Sequence, residues 1–96
     1  MEDIEKKFKD AVDFMNKYKD RIEDLNSDND ILLEVYGLYK QATCGNCNIP
    51  QPSVFNLRDT AKYNAWIKYK DNQQVYVMKL YVIKINKIIK NANKIE

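Results

Sequence analysis

The stretch QQVYVMKLYVIKINKIIKNAN, residues 73–93, decides the fold class. Its valine and isoleucine content suits a β-strand on propensity alone. Its periodicity points elsewhere, because Met78, Tyr81, Val82, Ile85, Ile88, Ile89 and Ala92 recur at steps of three and four along one helical face. A half-buried strand would alternate apolar and polar residues, and this stretch does not. It reads as a helix with Ile83, Ile85, Ile88 and Ile89 toward a core and Lys79, Lys84, Lys87 and Lys90 on the solvated side.

Working outward, Leu57, Ala61, Ala65 and Trp66 fit a shorter helix that ends near Lys70-Asp71-Asn72, with Asn56, Asp59 or Thr60 as alternative caps. Before it, Thr43 to Phe55 contains Gly45, Pro50, Pro52 and both cysteines without helical period, and reads as a long loop. Leu32, Val35, Tyr36 and Tyr39 mark another helix, which ends near Ala42 or Thr43. Gly37 sits inside it at a cost of about 1 kcal/mol relative to alanine. Either a close neighbour or simple tolerance accounts for it. Ser27, in the polar run 23–30, is the expected N-cap of this helix. Ile4, Phe8, Ala11, Val12, Met15 and Tyr18 define an amphipathic first helix. The expected fold is all-α, a four-helix bundle with a long connection between the second and third helices.

The chain has 96 residues, 45% of them apolar, which suffices for one modest core and one domain spanning 1–96. Sixteen basic against fourteen acidic residues give a net charge of +2, far from the bias of a duplex-binding module, so nucleic acid is not an expected partner. Acidic residues crowd the first third, whereas 79–94 carry only basic charges, so that end is suited to attract an anion. No apolar run is long enough to span a membrane, and the acidic start is unlike a signal peptide. The expectation is a cytoplasmic protein with reduced thiols. There is no histidine, which removes the commonest general acid-base group and metal ligand and argues against an enzyme.

The densest chemical constellation is Tyr36-Gly-Leu-Tyr39-Lys40-Gln-Ala-Thr43. Two phenols and an ammonium within little more than one turn suit a phosphorylated aromatic ligand, since tyrosine packs on a purine and lysine supplies a compact positive charge. Core-edge tyrosines with hydroxyls in water are an equally simple account. A second cluster, Arg58-Asp-Thr-Ala-Lys62-Tyr63-Asn-Ala-Trp66, again mixes cations and aromatics at helical spacing, and Tyr81 with Lys84 forms a weaker third.

In order and spacing, Tyr36-Gly-Leu-Tyr39-Lys40-Gln41-Ala42-Thr43-Cys-Gly45, then Pro52, then Ala61-Lys62-Tyr63-Asn-Ala65-Trp66, resemble the acyl-CoA-binding protein family over nearly the full length. The resemblance implies an overhand connection between helices two and three and a bowl-shaped surface site for a fatty acyl-CoA ligand, with no further cofactor and no catalysis. It implies that Tyr36, Tyr39 and Lys40 contact adenine and phosphate, that Lys62 binds phosphate, and that Tyr81 is the family's helix-four tyrosine. Leu32 and Leu33 correspond to the acyl groove, with Phe8, Ala11 and Val12 facing them from helix one. Arg58 joins the head-group cations. A monomeric carrier in transient contact with membranes or acyl-CoA-using enzymes is the corresponding expectation. Arg58 stands where the family commonly has lysine, Leu57 where it often has phenylalanine, Asp59 where glycine is usual, Tyr63 where tryptophan is usual, and Asn16 where a basic residue is frequent. Burying a dozen methylenes contributes on the order of 10 kcal/mol before ordering costs, so tail length should govern affinity, with a salt-dependent head-group contribution.

Two competing readings attach to other features. Cys44-Gly-Asn-Cys47 has C-x-x-C spacing, but no further Cys or His stands ready to complete a zinc site, and its helical flanks are unlike a thioredoxin motif, leaving loop thiols with reversible oxidation as a minor role. The lysine-lined fourth helix would serve a membrane-surface or protein-interaction module if its isoleucines were exposed.

Overall fold

The computed structural model describes residues 3–25 and 29–94. Four helices occupy them: α1 (Ile4–Leu25), α2 (Asn29–Cys44), α3 (Leu57–Ile67) and α4 (Gln74–Lys94). Ser27 lies outside the described residues, as does the side chain of Ala92.

The helix directions follow from which side chains meet. Lys84 of α4 pairs with Glu34 of α2 at 2.6 Å, and Gln74 Nε2 at the other end of α4 donates to the Ala42 carbonyl, so α2 and α4 are antiparallel. Lys62 lies over the Tyr36 ring and Lys40 over the Trp66 ring, so α2 and α3 run in the same direction. The connection 45–56 must therefore return along the length of α2, which explains why it is long. α1 makes its extensive contact with α4, with Phe8 and Tyr81 meeting edge to face at 5.0 Å.

The core unites Phe8 and Ala11 of α1, Val35, Leu38 and Ala42 of α2, and Val77, Met78, Tyr81, Ile85 and Ile88 of α4. The helical face read from residues 73–93 is thus the buried one. Ile83 is a correction: it lies 58% exposed, five residues from Met78 and therefore well off that face. Lys84 is another, because its ammonium is paired with Glu34 and is not part of a free basic face. The Lys84 hydrogen bond holds the Glu34 carboxyl below its usual pKa, against the opposing effect of burial.

Two helix boundaries carry structural information. α3 starts under Asn56, whose Oδ1 accepts from the Asp59 amide at 3.1 Å while its Nδ2 donates to the Asp59 carboxylate at 2.8 Å. Of the three cap candidates Asn56 is the cap, and Asp59 is its partner one turn in. α3 ends at Ile67, earlier than the pattern suggests, because residues 68–71 form turns. Asp71 there takes φ 68°, which an Asp tolerates, and its amide and carboxylate are held by the Asn46 side chain at 2.7 and 3.0 Å. α1 departs from helical geometry at Tyr18 (φ −112°, ψ 17°), with Tyr18 packed on Phe14.

Among the described residues no helix is long and apolar enough to cross a membrane.

Candidate functional site

α1 and α2 diverge above α4, and the opening continues across α2 toward α3. Two adjoining cavities result. The smaller, of about 180 Å³, lies between α1 and α2 and is lined by Val12, Met15, Asn16, Lys19, Leu32, Val35, Tyr36, Tyr39 and Tyr81. The larger, of about 630 Å³, lies between α2 and the start of α3 and is lined by Lys19, Leu32, Leu33, Tyr36, Leu57, Arg58, Ala61 and Lys62. Lys19, Leu32 and Tyr36 line both, so the two cavities meet along these side chains as a two-part groove.

The residues singled out in the sequence distribute unequally. Val12, Leu32, Leu33, Tyr36, Tyr39, Arg58, Lys62 and Tyr81 line one cavity or the other. Ala11 does not, because it is buried in the helical core one residue from Val12 and turned away from the groove. Lys40 lines neither cavity, since its ammonium stands 4.8 Å from the centroid of the buried Trp66 indole. Tyr36 is half-buried with the Lys62 ammonium 4.9 Å from its ring centroid, a cation and an aromatic face offered together. Lys19 and Met15 line the groove without having been singled out for it. Both recur at helical spacing from Val12, but the break at Tyr18 hides where Lys19 is directed.

Tyr81 forms the floor of the smaller cavity at only 2% exposure, beneath Tyr39 at 6.5 Å between ring centroids. Burial, reinforced by Tyr39, pushes its phenol up to about 12. A pKa raised above the unfolded value near 10 means that the native state holds its proton more tightly. The associated stability is complete below pH 10 and is lost as pH rises through 12. Alkaline melting curves should show a loss on the order of 1 to 2 kcal/mol over that window after allowance for solvent screening, and Tyr81→Phe should remove that part of the pH dependence.

The groove is oily between α1 and α2 and cationic at the start of α3, where Arg58 and Lys62 stand one helical turn apart. Asp59 is engaged by Asn56 and does not line the groove. Fold and groove together define a helical bundle whose surface groove is apolar at one end and cationic at the other. The family model described as acyl-CoA-binding protein matches residues 5–85, and the chain belongs to that family. It is 44% identical over 64 residues to mouse diazepam-binding inhibitor-like 5, covering 67% of this chain and 72% of that protein. It is 34% identical over 83 residues to acyl-CoA-binding domain-containing protein 1 of Oryza sativa subsp. japonica, covering 86% and 89%. The crystal structure of acyl-CoA-binding protein 2 from Oryza sativa superposes with a TM-score of 0.82 over 96% of this chain and 97% of that one, at 27% identity.

Proposed function

We propose that this chain binds medium- to long-chain fatty acyl-CoA thioesters and carries or pools them without chemical change, as a single monomeric domain over residues 1–96 in the cytoplasm. The observation that carries this reading is that the cavity with the apolar walls Val12, Met15 and Leu32 adjoins, across Leu32 and Tyr36, the cavity that holds the cations Arg58 and Lys62. The tail would lie against the aliphatic walls, where each buried methylene contributes roughly 0.8 kcal/mol before ordering costs. Tyr36 and Tyr39 would pack against the nucleotide, while Lys62, Arg58 and Lys19 would take its phosphates through charge-assisted hydrogen bonds. Lys40 would add its charge from outside the groove lining, beside Trp66. Among the described residues that line the groove no nucleophile is paired with a base, so the bound thioester is expected to persist. Its delivery would involve brief contact with membranes or acyl-CoA-using enzymes.

The alternative of a membrane-surface or interaction module built on α4 is less economical, because most of the apolar stripe of α4 is consumed by the core.

Isothermal titration with palmitoyl-CoA, palmitate and unacylated coenzyme A tests the proposal. One-to-one binding is expected to be tightest for the thioester. Lys62→Ala and Tyr36→Ala should each raise Kd by about tenfold, and the double variant by less than the product, because the two side chains meet in the free protein. Folded wild-type protein that takes up no palmitoyl-CoA would overturn the reading.

A further inference from the structure

Between the end of α2 and the first turn of α3, Ile49, Val54, Phe55 and Leu57 stand in solvent, with Phe55 93% and Val54 68% exposed. The tip is held in place by hydrogen bonds. The Phe55 amide donates to Ser53 Oγ at 3.3 Å, while the Asn56 amide and the Thr60 hydroxyl donate to the Ser53 carbonyl at 3.0 and 3.2 Å. Phe55 is therefore presented on a pinned turn, at a cost in exposed apolar area that the fold does not recover internally.

The surroundings indicate what covers it. Leu57 and Arg58, directly after the tip, begin the larger cavity, whose charged lining residues among the described ones are the cations Lys19, Arg58 and Lys62. Asp59, the acid of that turn, keeps its charge but is turned to the Asn56 amide and does not line the cavity, leaving three cations to one acid around it. An apolar projection beside three cations that line one cavity complements a surface that is anionic at its polar level and hydrocarbon beneath. A fluid bilayer accepts a projecting phenyl ring without a preformed pocket, and basic groups beside it are drawn to anionic headgroups.

We propose that Val54 and Phe55 form an insertion tip by which the chain seats on an anionic bilayer surface, with Arg58 and its neighbouring cations at headgroup level. Docking places the cationic end of the groove beside the phase in which a long-chain thioester partitions. The docking site itself stands apart from the ligand assignment, and only its use in loading the carrier rests on the proposed function.

Co-sedimentation with sucrose-loaded vesicles of phosphatidylcholine, with and without phosphatidylserine, tests the proposal on the full chain. Wild-type protein should partition onto the phosphatidylserine-containing vesicles, and less so as salt is raised. The Val54→Ser/Phe55→Ser variant should lose about tenfold in partitioning. Tyr76→Ser/Ile83→Ser, which removes exposed apolar groups elsewhere on the molecule, should leave it unchanged. Val54 and Phe55 line neither cavity, so palmitoyl-CoA affinity without vesicles should stay within about twofold in their variant. The proposal is overturned if wild-type protein fails to sediment with the anionic vesicles, or if the tip variant sediments as well as wild type. Equal loss in the Tyr76/Ile83 variant would also overturn it. Intact docking without palmitoyl-CoA binding in solution would uphold the tip and sink the ligand assignment, so the two failures are distinguishable.

Discussion

Trp66→Ala is expected to lower the free energy of unfolding by about 4 kcal/mol, the middle of the range for truncating a buried aromatic. Trp66 is 2% exposed and is the buried residue of α3. Its indole N–H donates to the Gly45 carbonyl at 2.8 Å, and its face supports the Lys40 ammonium. One side chain therefore joins α3, the end of α2 and the start of the crossover. Among the helices, α3 makes its extensive contact with α2 alone, so this loss falls on its one substantial attachment. Denaturant melts should report the stability loss, and hydrogen exchange should show α3 amides losing protection before those of α4. Trp66→Phe, which keeps most of the packing but leaves the Gly45 carbonyl without its donor, should cost about 1 to 2 kcal/mol. If the alanine variant melts within 1 kcal/mol of wild type, the anchoring role is wrong.

The second large effect has an informative sign. Gly37→Ala would be stabilising by about 1 kcal/mol if helix propensity decided the matter. Here it is expected to destabilise by about 2 kcal/mol net. A Cβ at Gly37 would fall onto the carbonyl group of Ala65, 2.7 Å from its carbon, and within 3.2 Å of the Tyr69 ring. The carbonyl belongs to the backbone of α3, so the helices themselves must separate to accept a methyl group. The same separation would widen the larger cavity, and palmitoyl-CoA affinity should fall with stability. A variant that melts higher than wild type would show that the close approach is not required.

These two residues also mark how far the sequence could be read. The period in residues 73–93 identified the buried face of α4 because helix geometry alone determines which residues share a face. The breakers between Thr43 and Phe55 located the crossover for similarly local reasons. Gly37 was ambiguous because its explanation is on Ala65, in another helix. Ile83 was assigned to the core on composition, although its spacing from Met78 turns it outward. Turn geometry shortened α3, since the Asn46 side chain captures Asp71 from a distant part of the chain.

The site followed the same division. The motif resemblance pointed to Tyr36, Tyr39, Lys62 and Arg58, and all four line the groove. It also pointed to Ala11, but a shift of one residue rotates a helical side chain by about 100°. That rotation separates buried Ala11 from groove-lining Val12. Lys40 sits one turn from Tyr36, yet a tertiary partner, Trp66, decides where its charge rests. Lys19 is not legible as a groove residue because the helical wheel stops being a guide at Tyr18.

The pairing of α1 with α4 has a consequence for how the molecule is made. Phe8 meets Tyr81 across almost the whole described chain, and α1 has no extensive contact with the helix that follows it. A ribosome extending the chain at about 5 to 20 residues per second releases α1 seconds before its partner exists. During that interval the apolar stripe around Phe8 and Ala11 must wait in water or under a chaperone. The long-range closure that ends the wait makes folding slower than in a bundle of consecutive helical hairpins.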